Sequence, residues 1–139
     1  MTLLIVAKLI HIASAILFIG CVYFRTLILP RARFALDSAQ FEAMESALSP
    51  RTRFIGKINN TLLLLSGLFL AHTYFEPNNV LLHIKMTLGF IVIAMFFCAP
   101  LIMHRFMGEK KQKIKTIYHH SMFALMVVIV ILSQTMFAL

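Results

Sequence analysis

Residues 80–103 read VLLHIKMTLGFIVIAMFFCAPLIM, and this stretch decides the fold. Its charged or imidazole groups, His83 and Lys85, both lie within its first turns. At 1.5 Å per residue a helix of this length runs about 36 Å, enough to cross a hydrocarbon core of roughly 30 Å. A strand is excluded, because no sustained alternation of apolar and polar residues runs through it. Working outward, three more apolar runs of similar length appear: from about Leu3 to Leu29, from about Ile58 to Phe75 and from about Ile117 to Leu139. Lys8, His11 and Arg25 are the polar breaks in the first of these. The spacing predicts one all-α domain over residues 1–139, an integral membrane four-helix bundle of up-down topology.

Composition agrees. Of 139 residues, 60% are hydrophobic and 13% charged, and the mean hydropathy is +0.89. A water-soluble domain of this size needs far more polar surface. Cys21 and Cys98 both sit inside apolar runs and form no CxxC pair, which argues against a secreted disulfide framework. Ala13-Ser14-Ala15 has the small-x-small look of a signal cleavage site. No basic segment precedes it, however, and the apolar run continues to Leu29, so the first segment is expected to be a retained helix.

The net charge of +8 is unevenly placed. Arg31, Arg33, Arg51, Arg53 and Lys57 fall in the first connection, and Arg105, Lys110, Lys111, Lys113 and Lys115 in the third. Glu76-Pro77-Asn78-Asn79, the tight connection between helices two and three, has no basic residue. The positive-inside rule then puts both basic loops in the cytoplasm and both termini on the outer face. Anionic lipid headgroups are the expected partners of this charge, and nucleic acid is not. In the first loop, residues 38–45 read as a short amphipathic helix lying on the headgroups and stopping before Pro50.

Polar groups within the spans carry the candidate chemistry, since ionisable side chains there are costly and face the bundle interior. Lys8 and His11 share a face of helix one. His83, Phe90, Phe97 and His104 recur every seven residues on helix three, with Lys85 and Met86 flanking His83. Judged by depth, Lys8, His11, His72, His83 and Lys85 converge near the outer face, with Ser133, Gln134 and Met136 of helix four at that end. Arg25, Cys98, Met103, His104, Met107, His119 and His120 form a second group near the cytoplasm. Neutral imidazole is a common metal ligand, and two imidazoles on facing helices can hold a haem iron. His11 and His83 are therefore the expected axial ligands, with Lys8 and Lys85 near the propionates and His72 a further cofactor contact. His72 at the interface also fits plain snorkelling. His104, His119 and His120 fit headgroup contacts, and Met122 and Met126 fit ordinary packing.

A family resemblance rests on these residues. Lys8-Leu9-Ile10-His11, Phe18-Ile19-Gly20, Tyr23 and Leu27 through Arg31 resemble the first helix of HemJ-type protoporphyrinogen oxidases and the related CopD-like membrane proteins. Glu42-Ala43-Met44-Glu45 is similar to the segment before their second helix, and Leu82-His83-Ile84-Lys85-Met86-Thr87 to their third-helix His-x-Lys motif. The resemblance covers most of the chain in the same order. It implies a bacterial inner-membrane protein that binds haem b and oxidises protoporphyrinogen IX, passing electrons to a respiratory chain. His11, His83 and Lys85 would be the functional positions, with Lys85 and Lys8 the candidate catalytic groups. Leu17-Phe18 stands where the HemJ pattern has Trp-Phe, and Phe96 and Phe97 where it has Tyr-His. Lys57-Ile58-Asn59-Asn60 replaces a proline-containing start of helix two. These departures leave open a relative that keeps haem without the oxidase activity. Copper uptake is the CopD-like alternative, with Cys98, Met103, His104 or the outer histidines as stations for a soft ion. A non-catalytic subunit of a respiratory complex is the third. The expected assembly is a homodimer or a complex with a respiratory-chain partner.

Overall fold

The computed structural model describes the backbone of residues 1–106 and 108–138, and the side chains of all of these but 109 and 136–138. The Met107 and Met136 side chains named above therefore lie outside the described residues, as does Leu139. The chain is an all-α four-helix bundle: α1 (Thr2–Tyr23), α2 (Ser38–Thr73), α3 (Val80–Met103) and α4 (Gly108–Ala138). Each of the four contains a stretch long and apolar enough to cross a membrane, and the protein is a multi-pass membrane protein. Apolar side chains cover its outside, Leu3, Leu9, Ile16 and Leu101 among them. Lipid is the solvent such a surface requires.

Going round the bundle, α1 packs mainly on α2 and α3 mainly on α4, with lighter α1–α4 and α2–α3 contacts. This leaves α1 and α3 on one diagonal. Phe18 and Val22 of α1, Val92 of α3 and Met122 and Met126 of α4 form the buried core. Phe18 meets Phe96 edge-on across the diagonal, with ring centroids 5.6 Å apart. Both methionines are thus packing residues, as expected.

The helix ends follow local chemistry. Asp37 caps α2 by accepting from the Gln40 N–H at 2.8 Å, while Gln40 Oε1 accepts from the Asp37 N–H. That reciprocal pair satisfies two donors which would otherwise be orphaned. Asn79 caps α3 through the Leu82 N–H. At the lower end of α1 the regular helix gives way to a π turn, Phe24–Ile28, and a 3-10 turn, Leu29–Phe34, where Pro30 cannot donate.

Two boundaries differ from expectation. The predicted interfacial helix does not stop before Pro50, and the second span does not begin at Ile58. One helix runs from Ser38 to Thr73 with Pro50 inside it. Proline removes one bond from this long helix, and tertiary contacts hold the segment on both sides of it. Phe41 is buried, Glu45 pairs with Lys115 at 3.0 Å, and Ser49 accepts from Arg25 at 3.2 Å. The fourth helix likewise starts at Gly108 rather than Ile117. Lys110, Lys111, Gln112 and Lys113 are good helix formers, and the polar extension from Gly108 to Thr116 adds about two and a half turns.

Candidate functional site

Two ends of the bundle carry polar side chains. The hairpin end holds the α1 N-terminus and the α2–α3 turn, and the basic end holds the other two connections.

At the hairpin end, His11 Nδ1 lies 3.1 Å from Ser66 Oγ of α2. Serine has a single hydroxyl hydrogen, and Ser66 donates it back to the Leu62 carbonyl at 2.7 Å. Its oxygen must therefore accept from His11, which places the imidazole hydrogen on Nδ1 and leaves Nε2 bare. Gly67 makes the approach feasible, since a Cβ there would sit 3.1 Å from His11 Cε1. Ser66 is buried and His11 half-buried, so the ring is held in a fixed pose against α2.

Lys85 of α3 is half-buried, five residues below the start of its helix. Among the described residues it has no hydrogen-bond or ion-pair partner. Glu76 is the single acid in the sequence at this end, against Lys8, Lys85 and three histidines. Lys8 is exposed, with its Nζ 5.0 Å from the Tyr74 ring centroid. The hairpin end is thus a cation-rich site with little negative charge to balance it.

The remaining predicted members lie apart from this pair. His83 Nε2 donates to the Pro77 carbonyl at 3.3 Å, and its ring packs edge-on against Phe75 at 5.4 Å. Ser66 is seven residues below the end of α2 and His83 three below the start of α3. By helical rise His11 therefore lies about 6 Å deeper than His83. The structure sets Lys85 within about 3 Å of the His11–Ser66 pair in depth and leaves His83 with the hairpin. His72 is exposed in the last turn of α2, and Gln134 is exposed on α4.

At the basic end the predicted second group divides. Arg25 reaches Ser49, Thr26 Oγ1 donates to the His119 carbonyl at 3.5 Å, and His120 donates to its own helix at the Thr116 carbonyl. Cys98 and His104 are exposed on α3. Among the described residues no three of His, Cys, Asp and Glu gather as a metal-binding group.

Three contributors lie outside the sequence-derived set: Ser66, Gly67 and Asn60. Asn60 is fully buried at 0% exposure and donates to the Gly56 carbonyl at 2.8 Å. Its Oδ1 is buried and has no partner among the described residues. The available signals were a Ser-Gly pair and an Asn-Asn pair inside an apolar run.

Comparison with protein-family models, with curated proteins and with solved structures found no match. The chemistry of the site therefore stands on its geometry. His11 would be the residue to hold a haem iron, because its N–H is anchored by a neighbour and its opposite nitrogen is bare. Lys85 and Lys8 suit carboxylate groups on the same ligand. His83 would be the second candidate ligand, and its Nε2 is engaged by the Pro77 carbonyl.

Proposed function

We propose that this protein binds haem b, or a closely related anionic tetrapyrrole, at the hairpin end of the bundle. The observation that carries this reading is the His11–Ser66 hydrogen bond, which leaves Nε2 bare at a depth similar to that of Lys85. His11 is the ligand, and Lys85 and Lys8 receive the propionates. Bound there, the group supplies one-electron chemistry. The chain's own residues orient it, offset its charge and keep it inside the apolar bundle. The reading as a HemJ-type oxidase adds protoporphyrinogen IX as substrate and the respiratory chain as acceptor. It is supported by the same cluster and by the resemblance of the Lys8–His11 and His83–Lys85 segments. Copper uptake has no comparable observation behind it.

In this reading the protein resides in a bacterial inner membrane with both termini in the periplasm, because ten basic residues flank the basic end. A carboxyl-terminal reporter active solely in the cytoplasm refutes that orientation. The enzymatic reading is tested by rescue of haem synthesis in a strain lacking its own oxidase. Rescue by the native chain and its loss in a folded Lys85→Ala protein are expected. No rescue by a well-expressed native chain removes the oxidase activity and leaves haem binding to be judged by its spectrum.

A further inference from the structure

The α1–α4 seam forms an open apolar groove that leads into the basic end. Its upper part is lined by Ile16, Gly20, Tyr23, Phe123, Val127 and Ile131, and it holds about 440 Å³ of free space. Gly20 opens it further, since a Cβ there would meet nothing within 4 Å. From Ile16 to Tyr23 the groove runs about 10 Å by helical rise. Following the same stripe down each helix, Tyr23 leads to Thr26, Pro30 and Arg33, and Phe123 leads to His119, Thr116 and Gln112. These residues line a second, polar pocket together with Arg25, Lys115 and Glu45. The π turn at Phe24–Ile28 marks the junction of the two.

Charge in the lower pocket is unbalanced. Among the described residues that line it, Arg25, Arg33 and Lys115 face one carboxylate, that of Glu45, which Lys115 already occupies. Arg25 has a serine hydroxyl as its partner, and Arg33 has the neutral Gln112 Oε1 at 2.6 Å. Two guanidiniums with neutral partners thus sit at the mouth of an apolar groove, and a guanidinium suits a phosphate through paired N–H donors.

We propose that this seam binds one anionic glycerophospholipid from the leaflet at the basic end. Its phosphate lies between Arg25 and Arg33, and an acyl chain lies along the groove from Tyr23 to Ile16. A lipid joins the two pockets, whereas a free phosphate uses the lower one alone. The site is separate from the haem reading and stands whether or not that reading holds.

The test is native mass spectrometry of the detergent-purified full chain, with phosphatidylglycerol, phosphatidylcholine or glycerol phosphate added. The expected result is one retained phosphatidylglycerol per chain, with phosphatidylcholine and glycerol phosphate not retained. Arg25→Gln combined with Arg33→Gln should weaken retention about tenfold or more, since each basic group near a membrane surface adds appreciably to anionic-lipid binding. Gly20→Phe leaves every cation in place and fills the groove, and it should weaken retention as well. Lys110→Gln combined with Lys111→Gln, on the same end but outside the seam, should not. Equal retention of phosphatidylcholine overturns the proposal, as does full retention by a folded double-arginine variant. Retention undiminished by Gly20→Phe, or glycerol phosphate competing as well as the lipid, reduces the site to a headgroup contact and overturns the seam assignment.

Discussion

Ser66 holds His11 across the α1–α2 interface at 3.1 Å, and the direction of that bond is fixed by what Ser66 does with its own hydrogen. A serine that donates backward to its helix can only accept from the imidazole, so α2 dictates which nitrogen of His11 carries the hydrogen. Ser66→Ala removes the acceptor and frees the ring to turn or change tautomer. Loss of such an orienting partner costs about 10–100-fold in the affinity of a histidine for its metal group. Haem titration of the purified variant, with helix content by circular dichroism as the folding control, measures it. Unchanged affinity would show that Ser66 does not orient the ligand.

Gly67→Ala separates site geometry from fold stability. The new Cβ meets His11 Cε1 at 3.1 Å, so the ring must shift by a few tenths of an ångström. In the helix itself alanine is favoured over glycine by about 1 kcal/mol. The variant should be at least as stable as the native chain in detergent, yet show a perturbed haem spectrum. A loss of thermal stability with an unchanged spectrum is the opposite outcome and would detach Gly67 from the site.

Asn60 tests the middle of the bundle. Its buried Oδ1 has no partner among the described residues, and a buried unsatisfied group costs roughly 1–3 kcal/mol. Asn60→Leu should therefore leave stability unchanged or raise it in thermal unfolding. A fall of several degrees would mean that Oδ1 is satisfied in the membrane by water or a ligand group.

The four spans were legible because apolar length alone specifies them. The Asp37 cap at the start of α2 lies just before the predicted amphipathic segment at residues 38–45. The passage of α2 through Pro50 was not legible, because it depends on Phe41 burial and on the Glu45–Lys115 and Arg25–Ser49 contacts, which join segments distant in sequence. The same holds for the site. His11 and Lys85 stand out as ionisable groups within apolar runs, which any hydropathy reading finds. That His83 would turn to Pro77 while His11 took Ser66 depends on helix register and on the missing side chain at Gly67. Spacing along a single chain contains neither.

Visible absorption of the protein, purified in mild detergent from cells making haem normally, tests the central claim most directly. The native chain should show a Soret band, and His11→Ala should lose it or show it altered, with helix content intact. His83→Ala, which leaves the His11–Ser66 pair untouched, should keep the native spectrum. A native chain without a Soret band, or a His11→Ala protein with the native spectrum, would contradict the assignment of His11 as the haem ligand.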